Sequence, residues 1–338
     1  LLIMELGVGM FGDIPFDESG NPGKADQKLR EIISAIQFAD ELGLDVFAIG
    51  EHHRPDYAVA SPEIVLAAAA PVTKQIKLMS AVTVLSSSEP VKVYQDFSTI
   101  HLLSAGRAEI GADRGSFIES FPLFGYDLKD YDELFEEKLN LLLKIRNETN
   151  VTWTGNLRPP MINQTVFPRS ENLPIWIAAG GTPSSVLRAA RLGLPLIVAI
   201  IGGNPAQFSP LLEYYREEYI SYGHDPAKMQ LAVHAHTFVS ENQKDIDNYF
   251  HYYSRQMNRI GQSRGWPTFT HGQYEAGRSK HGAYLFGSSQ EVSEKILMMK
   301  EVFGLTRFIG HIDVGAPPHD MLMNTIELMG TKVVDKVK

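Results

Sequence analysis

The strongest constraint on this chain is an alternation: short apolar runs of strand character are each followed by a stretch of helical periodicity, eight times over 338 residues. The strand-like runs are Leu6 to Phe11, Asp45 to Gly50, IKLMSAVTVL, RAEIGA, PIWIAA, PLIVAI, QLAVHAHTFV and RFIGHI. Between the first two, Leu29, Ile32, Ile33, Ile36, Ala39 and Leu42 recur at helical spacing, with Asp26 expected as N-cap and Gly43 as the stop. Asp130 with Glu133, and Ser288 with Glu291, are spaced as capping boxes. Strands separated by helices pair in parallel, because a parallel neighbour needs a crossover. Eight such units predict a closed (β/α)8 TIM barrel. An open doubly wound sheet is the competitor, but GVGMFGD after the first strand lacks the spacing of a nucleotide fingerprint. One domain over 1–338 is expected. Its irregular insertions fall near 147–173, where WTGN suggests the turn of a small hairpin, and near 261–287.

A barrel carries its chemistry at the C-terminal ends of its strands. The second strand ends in Glu51, His52, His53 and Arg54, four ionisable groups in a row. Three readings are open: solvated or structurally paired residues, a general acid or base, or a divalent metal site. The last would join Glu51 and His53 to His234 and His236, which alternate onto one face of the seventh strand. Beyond the fourth strand stands Arg114, whose planar fork suits an anion. Beyond the fifth, AAGGTPSSV sets Gly180, Gly181, Thr182, Ser184 and Ser185 at a helix start. Free N–H groups, hydroxyls and the helix dipole there would cradle a phosphate, although a tight turn with an N-cap serine uses the same letters. Ser80 and Ala81 in the third strand are small enough for a flat ring to lie against the backbone. The Ala-rich helix Ile64 to Ala70 permits close approach of another helix, within the chain or across a dimer.

The formal net charge is −9, which argues against nucleic acid or an anionic membrane as principal partner. Zero cysteines exclude disulfides and thiolate chemistry. No apolar run has the length of a membrane helix, and no basic segment precedes an apolar one at the start. A cytoplasmic address is therefore expected.

The runs FADELGLDVFAIGEHHRPDYAVASPEIVLAAAA, MSAVTVLSSSEPVKVYQDFSTIHLLSAGRAEIGADRG and PIWIAAGGTPSSVLRAARLGLPLIV strongly resemble the bacterial luciferase-like flavin monooxygenases. The likeness covers strands two to six, and FGSSQEVSEKILMMKEVFGLTRFIGHIDV is similar to the family's closing helix and strand. The resemblance implies a barrel that binds FMN at its mouth, uses reduced flavin with molecular oxygen on a small substrate, and forms homodimers. By motif, His52 matches the family's catalytic histidine and His53 its supporting neighbour. Arg114 matches the phosphate arginine, and Gly181, Thr182 and Ser185 match the cradle, with Gly180 beside them. Ala81 and Val82 fall where the family carries a non-prolyl cis peptide beneath the flavin ring, next to Ser80. Asp113 stands where luciferase has a reactive cysteine, and 261–287, with Trp266, Phe269 and Tyr274, is the candidate lid. Reduced FMN would come from a separate flavin reductase, since no nicotinamide fingerprint is present. The rivals are a deazaflavin-dependent dehydrogenase of the same superfamily, a non-catalytic flavin-binding protein and, more distantly, a metal-dependent hydrolase.

Overall fold

The structure, a computed structural model, describes residues 3–338. Eight parallel strands close into a ring: β1 (Glu5–Met10), β2 (Val46–Ile49), β3 (Lys77–Val84), β4 (Ala108–Asp113), β5 (Ile175–Ala179), β6 (Leu196–Ile200), β7 (Leu231–Val239) and β8 (Arg307–His311). Each pairs with the next, and β8 returns to β1 with Gly7 opposite Ile309, so the sheet has no free edge within the ring. This is the (β/α)8 barrel that the count of eight predicts.

Its interior divides into layers. At the N-terminal end of the strands Arg307, 1% exposed, donates to Glu5 Oε2 at 2.7 Å and to Glu109 Oε1 at 3.2 Å. Its guanidinium carbon lies 4.4 Å from the centroid of the Trp176 ring. Above this ionic floor the barrel is filled by Val46, Ala48, Met79, Ile197, Ala232 and Ile309. The side chains on the outer face of the ring form a second, larger core with the helices. The Ala-rich helix, Pro62–Ala69, buries Val65, Leu66 and Ala69 within the chain and leaves Ile64 outward.

Local signals mostly act as read, with three differences. The helix Ala25–Glu41 has Lys24 at its N-cap; Asp26 lies one residue inside the first turn, where it pairs with Arg30 at 3.0 Å. A carboxylate there is favourable through the helix dipole and the i,i+4 pair without capping. Gly43 ends that helix with φ of +79°. Asp130 occupies an N-cap position but makes no capping bond, because a 3-10 turn, Leu128–Asp130, leads straight into Tyr131–Asn147 and Asp127 caps that turn instead. The Ser288–Glu291 box forms in both directions. The 147–173 stretch contains an antiparallel hairpin, Asn150–Trp153 with Met161–Thr165.

The third difference is the supposedly irregular 261–287. The helix Gln243–Arg264 runs into it, a second helix His271–Arg278 follows, and Leu285–Gly287 pairs with the end of β7. The second helix opens on a complete capping box, Thr270 with Gln273. Tyr274 and Phe269 are not lid residues: they pack with Phe250, Tyr253, Tyr284 and Phe286 behind the barrel wall.

Replacing Arg307 with Ala leaves the buried Glu109 unpaired and is expected to cost about 3–5 kcal/mol. The Arg307→Met, Glu109→Leu pair is expected to lose much less. Urea unfolding of the two variants against the parent checks this.

Candidate functional site

The C-terminal mouth of the barrel encloses a cavity of about 280 Å³. Every strand end reaches it, and helix Gln243–Arg264 closes one side with Met257, Ile260 and Arg264, followed by Trp266. Its wall between β3 and β6 is made of small groups: Ala81, Val82, Ala178, Ala179, Gly180 and Ala199. The Ala81–Val82 peptide is cis.

Opposite lies a cluster of imidazoles. His52 is 7% exposed, with its ring 4.2 Å from Tyr57 and 4.4 Å from Phe11. Phe11 also lies 3.9 Å from His311, a position open to it because Gly50 has no side chain; a Cβ there would come within 2.4 Å of the phenyl ring. His234 and His236, two residues apart on β7, share one face and stand 5.4 and 5.2 Å from His311. Burial pushes His52 and His234 down to about 3 and His236 well below its ordinary value, with His311 adding to each. All three are therefore neutral near pH 7. Tyr253 holds His236 Nδ1 at 2.8 Å.

His311 is set by Asp313, whose Oδ1 accepts from Nε2 at 3.1 Å. Asp313 is fully buried and also accepts the backbone N–H groups of Phe11, Gly12 and Asp13 at 3.0, 2.8 and 3.2 Å. Burial pushes this carboxyl up, but the His311 bond and these N–H groups hold it below its ordinary value. Its neighbour Asp13 is driven well above the ordinary range by burial and by Asp313, so it keeps its proton. Asp13, His311 and Asp313 offer ligand atoms within 4.8 Å of one another, yet the four acceptor directions of Asp313 are already used, which leaves none for a metal.

The ionisable run after β2 resolves into separate tasks. Glu51 receives His53 Nε2 at 2.8 Å on one oxygen and the Val84 N–H at 2.7 Å on the other, orienting His53 and fixing the end of β3. It is not brought together with His234 and His236, so the metal set read from the sequence does not assemble. Arg54 grips Asp56 with two bonds of 2.9 and 3.1 Å and reaches Glu119 at 3.3 Å.

The residues expected around a phosphate lie beside the mouth. Arg114 stacks on Tyr131 and pairs with Asp132. The Thr182 hydroxyl donates to Ser185 at 2.9 Å at the start of helix Pro183–Leu192. Of the expected residues His52, His53, Ala81, Val82 and Gly180 line the cavity, while Arg114, Gly181, Thr182 and Ser185 flank it. Ser80 does neither: it is fully buried, its hydroxyl accepting from Thr83 at 2.8 Å and from the Gly111 N–H at 3.1 Å. Burial raises Asp113 to about 6, and the carboxyl accepts the Arg114 N–H at 2.7 Å. Sequence reasoning missed Arg188, which packs over Phe135; burial lowers its pKa, and the nearby Arg114 adds to this. It also passed over His311 and Asp313, which stand at the end of a barrel strand, the place that rule marks.

A barrel whose mouth joins a flat apolar wall, buried neutral imidazoles and a flanking cationic patch defines a cofactor-using oxidoreductase of the TIM-barrel type. The luciferase-like monooxygenase family model matches residues 5–305, and the chain belongs to that family. It is 27% identical over 249 residues to an alkanal monooxygenase alpha chain of a Kryptophanaron alfredi symbiont, covering 70% of this chain and 69% of that one. The fold is shared with the oxygenating constituent of 3,6-diketocamphane monooxygenase from Pseudomonas putida in complex with FMN. That match has a TM-score of 0.78 and 20% identity over 99% of both chains. An F420-dependent secondary alcohol dehydrogenase in complex with an F420-acetone adduct matches with a TM-score of 0.75 and 16% identity over 99% of both chains. No helix among the described residues is long and apolar enough to cross a membrane.

The neutral histidines have a consequence for stability. Between their unfolded value of about 6.5 and their depressed folded values, the unfolded chain binds protons that the folded one refuses. Their contribution is thus full above about 6.5 and is lost as pH falls. Asp113 has the opposite sign: its contribution is full below about 3.9 and is lost as pH rises through about 6. Replacing His234 with Phe is expected to flatten the loss of stability between pH 6 and 4 by about 1.4 kcal/mol per pH unit. Urea unfolding across that range measures it; an unchanged slope would show that His234 is protonated in the folded state.

Proposed function

We propose that the chain is an FMN-dependent monooxygenase, acting with reduced flavin and molecular oxygen on a small organic substrate. The observation that carries this is one juxtaposition: a flat wall of small residues across from neutral His52, with Arg114, Arg188 and two hydroxyls flanking it. A planar ring with a phosphate on its side chain has that outline. The FMN bound by the structurally similar camphane enzyme supports the same reading.

The residues fit the group. Arg114 would exchange Asp132 for the phosphate, and Thr182, Ser185 and the first N–H groups of helix Pro183–Leu192 would complete the anion's partners. Ala81, Val82 and Gly180 would hold the ring. When bound and reduced, the flavin supplies the electrons that activate oxygen. His52, uncharged and pinned by Phe11 and Tyr57, passes a proton through a ring nitrogen, and Glu51 keeps His53 turned beside it. Phe11, Tyr57, Phe117 and Trp266 keep water from the reacting centre. The reductant arrives from a separate flavin reductase in the cytoplasm. Two copies of the chain associate through outward apolar residues such as Ile64, Leu102 and Leu103, which are 67%, 54% and 63% exposed. The second reading is a deazaflavin-dependent dehydrogenase, favoured by the likeness to the F420 enzyme. Titration with FMN and with F420, followed by oxygen consumption with each in reduced form, separates the two. Failure of FMN to change its absorbance or fluorescence at micromolar protein would sink the first.

Arg114→Ala is expected to weaken FMN binding by about 2–3 kcal/mol, ~30–150-fold, and riboflavin binding little. Equal losses would remove Arg114 from the phosphate site. His52→Ala is expected to keep FMN affinity and slow substrate oxidation by about 10²–10⁴-fold. Collapse of binding would instead make His52 structural.

A further inference from the structure

We propose that His311, held by Asp313, is a general base for an aryl hydroxyl, so that the substrate of this mouth is a phenol. The proposal rests on the reading of the cavity as an oxidoreductase's substrate site, but its test does not require turnover.

Apart from His53, which Glu51 holds, four imidazoles line the mouth, and one of these has a carboxylate partner. His311 Nε2–H donates to Asp313 Oδ1. Nε2 is thereby occupied, Nδ1 makes no hydrogen bond among the described residues, and His311 lines the cavity. An imidazole fixed in this way, with its lone pair free and a buried carboxylate behind it, is the arrangement of an acceptor of protons. The Asp313 carboxylate cannot turn away, because the N–H groups of Phe11, Gly12 and Asp13 hold it.

The second half of the recognition comes from β7. Tyr253 OH meets His236 Nδ1 at 2.8 Å. A phenol donates more strongly to an imidazole nitrogen than to another hydroxyl, so the Tyr253 proton goes to Nδ1 and Nε2 of His236 carries the N–H. The His236 and His311 rings stand 5.2 Å apart at 75°, one offering a donor and the other an acceptor. A hydroxyl satisfies both at once. A carbonyl accepts only and leaves Nδ1 of His311 unpaired, and a hydrocarbon leaves both unpaired. A carboxylate substrate is disfavoured because the Asp313 carboxylate already lies against His311. An aryl hydroxyl, with an ordinary pKa near 10, is within reach of an imidazole base, whereas an alkyl one is not. The ring of such a substrate faces aromatic side chains: Phe11 at 3.9 Å from His311, then Tyr57 and Phe117 around His52.

The step balances without a redox change. The aryl O–H bond breaks, its proton bonds to Nδ1 of His311, and the Nε2 proton stays on the ring, donated to Asp313, so that His311 becomes an imidazolium. The electron pair stays on oxygen as an aryloxide that accepts from His236 Nε2–H. The resulting electron-rich ring is the form that an electrophilic oxygen donor attacks. The groups facing His311 are Asp313 just past its own strand, Asp13 and Phe11 just past β1, His52 after β2, and His234 and His236 from β7. Lys28 of helix Ala25–Glu41 acts on the two carboxyls, and Tyr249 donates to the Val314 carbonyl. Burial and Asp313 hold Asp13 well above its ordinary value, and the Asp313 carboxylate is the one that meets the imidazolium.

The test uses 4-nitrophenol, whose aryloxide absorbs at longer wavelength than the neutral form, added to the purified protein with and without FMN. It is run at a pH where free 4-nitrophenol is mostly neutral. Saturable growth of the aryloxide band is expected, with 4-nitroanisole, which has no hydroxyl, binding at least ~10-fold more weakly. His311→Leu is expected to abolish the band, and Asp313→Asn to raise the pH at which the bound phenol ionises. The proposal is overturned if 4-nitrophenol does not bind, if it binds as the neutral form, if 4-nitroanisole binds equally, or if His311→Leu keeps the band. The anisole comparison needs only the unaltered protein, so it decides even where a variant fails to fold. FMN titration of the same sample reports separately on the flavin reading.

Discussion

The mouth of this barrel depends on one carboxylate. Asp313 lies just past β8 and accepts three successive backbone N–H groups, those of Phe11, Gly12 and Asp13, which lie just past β1. Successive N–H groups converge on one anion only when the chain turns through the left-handed region, and Gly12 does so with φ of +76°. First and last strands are thereby joined at their C-terminal ends across 300 residues of sequence, where the ring closes. The remaining acceptor position is filled by His311, so closure of the barrel and orientation of that imidazole are one event. A buried carboxylate is tolerated because every lone pair is used.

Charge is distributed unevenly along the barrel as a result. The floor holds Arg307 between Glu5 and Glu109, far from the reacting space. The cavity is kept close to neutral: burial discharges the histidines, and Asp13 shares its negative charge with Asp313 by keeping a proton. Positive groups are set beside the mouth, at Arg114, which pairs with Asp132, and at Arg188. Under the proposed flavin reading, a phosphate end would lie on that side and a neutral ring toward the interior.

Periodicity made the eight strands and their helices readable, because burial imposes spacing on residues that are neighbours in sequence. The strand-end rule then brought His52 and His53 to the mouth. What it did not bring out were contacts made at a distance: Asp313 on the loop after β1, Tyr253 on His236, Arg188 beside Arg114. HIDVG reads locally as the end of one more buried strand. Ser80 was misplaced for a different reason. Alternation along β3 would present it with Val82, but the pairing of β3 with β4 shifts register between Ala81 and Thr83, and Ser80 turns to Gly111 instead. Asp26 and Asp130 carry the right letters for caps, yet Lys24 holds the N-cap position of the first helix, and Asp130, at the N-cap of the second, makes no capping bond.

The four imidazoles also differ in what a proton would do to each. A proton placed on His52 or His234 enters a buried space, is opposed by desolvation and by His311, and finds no carboxylate hydrogen bond among the described residues. On His236 it would compete with the Tyr253 proton already donated to Nδ1. On His311 it meets a carboxylate at 3.1 Å that is itself fixed by three backbone groups. A proton on His311 thus has a fixed carboxylate beside it, which His52, His234 and His236 lack. Those three, uncharged at rest, keep N–H groups and lone pairs for uncharged partners.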